Sequence, residues 1–350
     1  MKGIVLTILL IILTVSVSNT ARTLRTMNPE NRLVIITLDG FRWQELFGGA
    51  DSVLVRDAEA NTDTSLSLAM YWDRSPEERR KRLLPFLWNV IAPQGEVYGN
   101  RTHGNKVNVS NPYALSYPGY NELLTGEVDY SIYGNEKRKN RNRNILEILN
   151  DTGTYRNKVA AFTSWELFPY ILDREERGSF VLNSAHDRVK GPDLTPAQAV
   201  VNNFQTKMNV DDATRYDELT YVACKEYIQK NKPSVVFLSF SGTDNAAHAG
   251  HYDQYLQEAN NADRMIGELW RMLQTMPEYA GKTTFLITTD HGRGAKPSSW
   301  SDHGFFISGS TQTWYALFGH RVVPHGEMRS RTQVYTKELN GLMMEILSRR

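Results

Sequence analysis

Acidic, histidine and hydroxyl residues fall at the ends of short apolar runs in this chain. Leu33-Val34-Ile35-Ile36-Thr37-Leu38 leads into Asp39-Gly40, and Thr284-Phe285-Leu286-Ile287-Thr288-Thr289 leads into Asp290-His291-Gly292. A third run, Val235 to Phe240, passes through Ser241-Gly242-Thr243 to Asp244, with His248 following in Asp-x-x-x-His spacing. Carboxylates and imidazoles without thiolates are donors that zinc, and less often manganese or iron, accepts. Each motif alone is weak: Asp-His-Gly can be a capping aspartate beside a satisfied histidine, and Asp-x-x-x-His arises by chance in helices. Three such groups at three strand ends form a set that chance rarely produces, and the set points to a metal centre where α/β sheets place their ligands.

A nucleophile candidate stands in Asn111-Pro112-Tyr113-Ala114-Leu115-Ser116-Tyr117-Pro118-Gly119-Tyr120-Asn121-Glu122. Pro118 suits a first helical turn, which places Ser116 at a helix N-terminus. Unpaired amides and the positive dipole end favour an anion there, and a neighbouring metal would lower the serine pKa toward an alkoxide. The competing reading makes Ser116 an ordinary N-cap.

The elements that must hold these residues are near-continuous apolar strands separated by helical stretches. Leu33 to Leu38, Lys158 to Thr163, Ser234 to Phe240, Thr283 to Thr289 and Thr313 to Phe318 read as strands, and Asp253 to Met276 and Asn144 to Leu149 as helices. Runs without alternation demand cover on both faces, so the expected fold is α/β: a mostly parallel central sheet with helices on both sides. Tyr221 to Ile228 reads as a half-buried helix, making the single Cys224 a core residue. Ala58 to Arg82 is polar and charged and reads as a small insertion. Lys137 to Asn144 holds five basic residues in eight, either a solvated face or a local attractor for an anionic substrate.

Composition sets the outer bounds. At 350 residues, 41% hydrophobic and 23% charged, the chain is neither fibrous, polytopic nor largely disordered. Forty Lys and Arg against 39 Asp and Glu exclude a basic field for nucleic acid. Met1-Lys2 precedes an apolar run from Gly3 to Val17, too short for the roughly 20 residues of a membrane span, and it ends in small residues up to Ala21. We read residues 1–21 as a secretory signal peptide and 22–350 as a single catalytic domain exported to the periplasm or the exterior; an uncleaved anchor is the rival reading.

Leu38-Asp39-Gly40, Ser116-Tyr117-Pro118 with Leu124-Thr125-Gly126, Asp244-x-x-x-His248, Asp290-His291-Gly292 and Asp302-His303-Gly304 occur in the order of the alkaline phosphatase superfamily. More narrowly, the chain resembles its type I phosphodiesterase/nucleotide pyrophosphatase branch and bacterial exported relatives, from Leu33 to about Gly319. The resemblance implies an alkaline phosphatase-like three-layer sandwich and two divalent ions, usually zinc. Asp244, His248 and His303 would hold one; Asp39, Asp290, His291 and the Ser116 oxygen would hold the other. It further implies hydrolysis of a small phosphoric mono- or diester through a phosphoseryl intermediate on Ser116. Within the His303 motif, Asp302 is an alternative ligand by spacing.

The chain departs from that branch in carrying serine where threonine is usual and Gly119 where an asparagine helps hold phosphate. Asn121 or Asn111 is the candidate replacement. A sulfatase would need arginine where Tyr120 stands, so a sulfatase-like hydrolase is a secondary expectation. A third is a non-catalytic protein that binds phosphorylated or sulfated glycans on the same scaffold. Phe41, Trp43, Phe47, Trp165, Phe168 and Tyr170 read either as core or as a stacking surface for the leaving group.

Overall fold

The computed structural model describes residues 27–172, 180–207 and 213–349, so the expected signal peptide lies outside the described residues. The strands are β1 (Arg32–Leu38), β2 (Gly95–Tyr98), β3 (Asn105–Asn108), β4 (Val159–Thr163), β5 (Val181–Ser184), β6 (Val235–Phe240), β7 (Thr283–Thr288), β8 (Gln312–Thr313), β9 (Tyr315–Gly319), β10 (Gly326–Glu327) and β11 (Thr332–Tyr335). Eight form one sheet in the order β10-β2-β9-β7-β1-β6-β4-β5, and β11-β3-β8 form a small second one. From β7 to β5 every pairing is parallel. Every residue of β4, β6 and β7 is buried, as a sheet covered on both faces requires.

The period of two along β1 divides its side chains between two cores. Val34, Ile36 and Leu38 pack with Cys224, Tyr255 and Leu269 on one face, whereas Leu33 and Ile35 pack with Leu123, Leu146 and Met343 on the other. Three layers result. One outer layer includes the helices Asp217–Asn231 and Tyr252–Gln274, and the other includes Ser116–Thr125, Ile145–Asp151 and Glu338–Ser348. Among the described residues no helix is long and apolar enough to cross a membrane.

One feature differs from the sequence reading and one is filled in by the structure. The expected Thr313 to Phe318 strand divides at Trp314: Thr313 ends β8 in the second sheet, while β9 runs antiparallel between β2 and β7. The polar stretch 58–82 forms helices Thr64–Tyr71 and Pro76–Leu83, which pack on the Tyr252–Gln274 helix. The second is started by a Ser75 cap and Pro76, with Glu77 and Glu78 in its first turn and Arg80, Lys81 and Arg82 in its last. Tyr71 and Leu83 anchor the pair in the core, so its charges belong to the solvent side of packed helices.

Register places the site. Leu38 pairs with Phe240 and Thr37 with Thr288, so β6, β1 and β7 end level with one another. Asp39 therefore emerges between the β6 and β7 ends that lead to Asp244 and Asp290.

Candidate active site

Ser116 opens the Ser116–Thr125 helix, but Leu115 is its N-cap and makes no side-chain capping bond. The hydroxyl faces the strand ends instead, with Oγ 3.2 Å from His291 Nε2 and 3.5 Å from Asp39 Oδ1. The loop before it is held tightly. Glu122 accepts hydrogen bonds from the Ser110 and Asn111 amides, and Asn111 Oδ1 accepts one from the Ala114 amide. Ala114 sits at φ +47°, a left-handed conformation that costs energy for any residue with a Cβ. At the helix start the Tyr117 amide donates to Asn135, the Gly119 amide closes the first turn on Leu115, and Pro118 has no N–H, so of the first four residues only the Ser116 amide is not spoken for.

His291 lies at the centre. Its Nδ1 is 2.8 Å from the Gly292 carbonyl, which leaves Nε2 facing Ser116, Asp39 Oδ1 at 3.4 Å, Asp290 Oδ2 at 3.6 Å and Asp244 Oδ1 at 4.0 Å. His303 stacks on it, with ring centroids 3.9 Å apart and planes 7° from parallel. The His303 Nδ1 is 3.0 Å from the Ala114 carbonyl, so its Nε2 turns to His248 Nε2 at 3.1 Å and Asp244 Oδ1 at 3.9 Å. Asp244 and His248 share the Gly242–His248 helix, and Asp244 Oδ2 is 3.2 Å from His248 Nε2. All seven residues expected to bind metal thus meet in one place.

Two overlapping clusters have donor atoms near enough to share an ion: Asp39, Asp290 and His291, and Asp244, His291 and His303. His248 sits beside the second cluster, half exposed. Burial, with Asp39 alongside, pushes the Asp290 carboxyl up; burial opposes charge on His291, yet Asp290 and Asp39 outweigh it and push that imidazole up. Burial and the neighbouring His291 and Arg293 push His303 far down, holding it in the neutral form that ligates metal. Asp290 Oδ2 is buried without any hydrogen-bond partner. An orphaned carboxylate oxygen among crowded carboxylates and oriented imidazoles suits a divalent cation, which would satisfy that oxygen and relieve the like charge.

Three participants escaped the sequence reading. Tyr120 donates from its hydroxyl to Asp39 Oδ2 at 3.0 Å, its own proton held by burial and by Asp290 and Asp39. Gly40 adopts φ +58° and gives its amide to Asp290 Oδ1 at 3.1 Å. Arg293, two residues beyond His291, is 1% exposed and donates to Asp244 Oδ1. Nothing local in the sequence marks Arg293, since its partner is distant along the chain.

Other candidates go elsewhere. Asp302 is exposed and joins neither cluster. Asn111 is bound to Ala114 and Glu122, and Asn121 to Glu127, Asn140 and Asn142, so neither stands ready to replace the missing asparagine. Phe41, Phe47 and Phe168 are buried core residues: Phe41 packs on Tyr255 and Trp314, and Phe168 on Tyr120. Trp43, Trp165 and Tyr170 are partly buried against the two cores. The basic run supports the helix start, with the Arg138 carbonyl accepting from Tyr117 Oη while Lys137 pairs with Glu166 and Arg143 with Asp151.

A three-layer α/β sandwich with carboxylates and imidazoles gathered around a hydroxyl at level strand ends is an alkaline phosphatase-like arrangement. The sequence profile of the type I phosphodiesterase/nucleotide pyrophosphatase family matches residues 76–335, and the chain belongs to that family of metal-dependent phosphoester hydrolases. No curated protein sequence matches it. Solved structures of similar fold include the lipoteichoic acid synthase LtaP from Listeria monocytogenes, with TM-score 0.57 and 11% identity over 92% of this chain and 72% of that one. Murine ectonucleotide pyrophosphatase/phosphodiesterase 5 gives 0.53 and 12% over 91% and 96%, and the phosphonate monoester hydrolase of Agrobacterium radiobacter 0.52 and 12% over 91% and 73%.

Proposed function

We propose that the protein is an exported two-metal hydrolase that passes the phosphoryl group of a small phosphoric mono- or diester to Ser116 and then to water. The observation that supports it best is Ser116 Oγ, uncommitted to capping and 3.2 Å from His291 Nε2. Asp39, Asp290, His291 and Ser116 Oγ would hold one ion and Asp244, His248 and His303 the other, with zinc suited to both sets. When bound, the ions supply Lewis-acid charge that lowers the serine pKa and stabilises developing oxyanions.

The chain's own groups do the rest. Ser116 Oγ, 3.2 Å from His291 Nε2 and 3.5 Å from Asp39 Oδ1, lies beside the donors that would hold the first ion. Tyr120 fixes the second oxygen of Asp39, and the Glu122 and Asn111 bonds hold Ser116 on its aim. In the first step the Ser116 oxygen bonds to phosphorus as the ester oxygen departs; in the second, water replaces the seryl oxygen. Burial of Ser116, Asp290 and His291 keeps these charges out of bulk water, where they would be screened. Without the expected signal peptide, which carries only Lys2, the charges balance, so attraction of an anionic ester is local to the site.

The test is metal content and turnover of an aryl phosphate monoester against a bis-aryl diester, which separates phosphatase from diesterase. Ser116→Ala is expected to lower kcat/KM by at least about 10³-fold while the protein stays folded. Full activity in that variant, together with less than one bound metal per chain, would sink the proposal.

A further inference from the structure

Arg293 is buried to 1% exposure beside a proposed metal ligand, where the charge of an arginine is costly unless its N–H groups are paired, and its Nε is buried without a hydrogen-bond partner. Its Nη2 donates to Asp244 Oδ1 and, at 3.3 Å, to the Asp244 carbonyl, while Nη1 donates to the Ser301 carbonyl. Space for this reach comes from Gly40. A Cβ there would lie 2.8 Å from Arg293 Nε and 2.9 Å from Asp244 Oδ1. Arg293 therefore ties the segment after β7 to the helix after β6, running past the turn after β1 where Gly40 leaves room.

The consequence falls on Asp244. Oδ1 carries the charge-assisted bond to Arg293 and is also the oxygen nearer His303, at 3.9 Å, while Oδ2 is turned to His248, 3.2 Å away; His248 Nε2 is in turn 3.1 Å from His303 Nε2. A carboxylate held by a guanidinium keeps one orientation toward its remaining neighbours. We propose that Arg293 is a positioning residue that fixes the orientation of the Asp244 carboxylate toward the ion shared with His248 and His303. The proposal rests on the two-metal reading above. It concerns one ion only, since Arg293 makes no hydrogen bond to Asp39, Asp290 or His291 among the described residues.

The experiment is zinc titration of the full chain against a chromophoric chelator at fixed pH, with near-ultraviolet circular dichroism as a check on folding. Wild type, Arg293→Met, Arg293→Lys and His248→Ala are compared. Arg293→Met is expected to weaken one of two ions by about 10–100-fold and to leave the other unchanged, the pattern His248→Ala should also give. Arg293→Lys keeps the charge but cannot bridge Asp244 and Ser301 together, so it should fall between. It also serves as the readout if the methionine variant does not fold. If wild type binds two ions and both Arg293 variants bind both with affinities within threefold of wild type, the positioning role is wrong and the metal centre stands. Wild type that takes up no second ion overturns the two-metal reading and this inference with it.

Discussion

Replacing Gly119 by alanine sets two effects of opposite sign against each other. Gly119 lies in the first turn of the Ser116–Thr125 helix, where alanine is intrinsically favoured by about 1 kcal/mol. A Cβ at that position, however, would lie 2.4 Å from the Asp290 carbonyl oxygen and 3.0 Å from its carbonyl carbon. Ordinary non-bonded contact is about 3.5 Å, so roughly 1 Å must be recovered by moving the helix start or the end of β7. Neither gives easily: the Tyr117 amide is tied to Asn135, and Asp290 Oδ1 is tied to Gly40. Overpacking of this kind costs about 1–3 kcal/mol, which exceeds the propensity gain. Because Ser116 and Asp290 stand on the two sides of the clash, the same displacement should misplace the hydroxyl and lower kcat/KM by about 10²-fold. Urea denaturation and turnover of an aryl phosphodiester measure the two consequences separately. A Gly119→Ala protein as stable as wild type would show the packing to be slack. A destabilised one with unchanged kcat/KM would show that Ser116 need not keep its place against Asp290. The same contact leaves no room at this position for a side chain larger than hydrogen.

Tyr120→Phe removes the donor to Asp39 Oδ2, and zinc affinity at the Asp39 site should fall by about 10-fold or more in a chelator competition, whereas unchanged affinity would mean Asp39 is held by other contacts. Burial, with Asp217 and Glu218 adding like charge, pushes the Glu258 carboxyl up to about 7. A raised carboxyl pKa favours the neutral form in the fold, so that group's stabilising contribution is complete below about pH 4.5 and is lost as pH rises to about 7. Glu258→Gln should therefore exceed wild type in stability above pH 7 by about 1–2 kcal/mol, a figure reduced for partial exposure, and converge with it near pH 4.5 in urea denaturation; an equal difference at both pH values would refute the assignment.

Asp39, Asp244, Asp290 and His291 were legible because each follows an apolar run, and an unbroken apolar run is local information: neighbouring residues alone state that a buried strand ends there. The helix carrying Cys224 and the amphipathic Tyr252–Gln274 helix were readable for the same reason. Ser116 was legible as a residue at a helix start but not as an uncapped hydroxyl, since whether it bonds its own helix or points at His291 depends on how that helix sits over the β7 end. Aromatics near Asp39 in sequence became core because Phe41 meets Tyr255 and Trp314, partners far along the chain. The antiparallel course of β9 and the Arg293 contact with Asp244 depend on strand order and register, which no local pattern encodes. The sequence by itself thus determined which residue types stand at which strand ends, and with them the family and its chemistry. Only the tertiary structure decided which oxygen of each carboxylate is already taken, because that is set by side chains arriving from distant segments into a space a few ångströms wide.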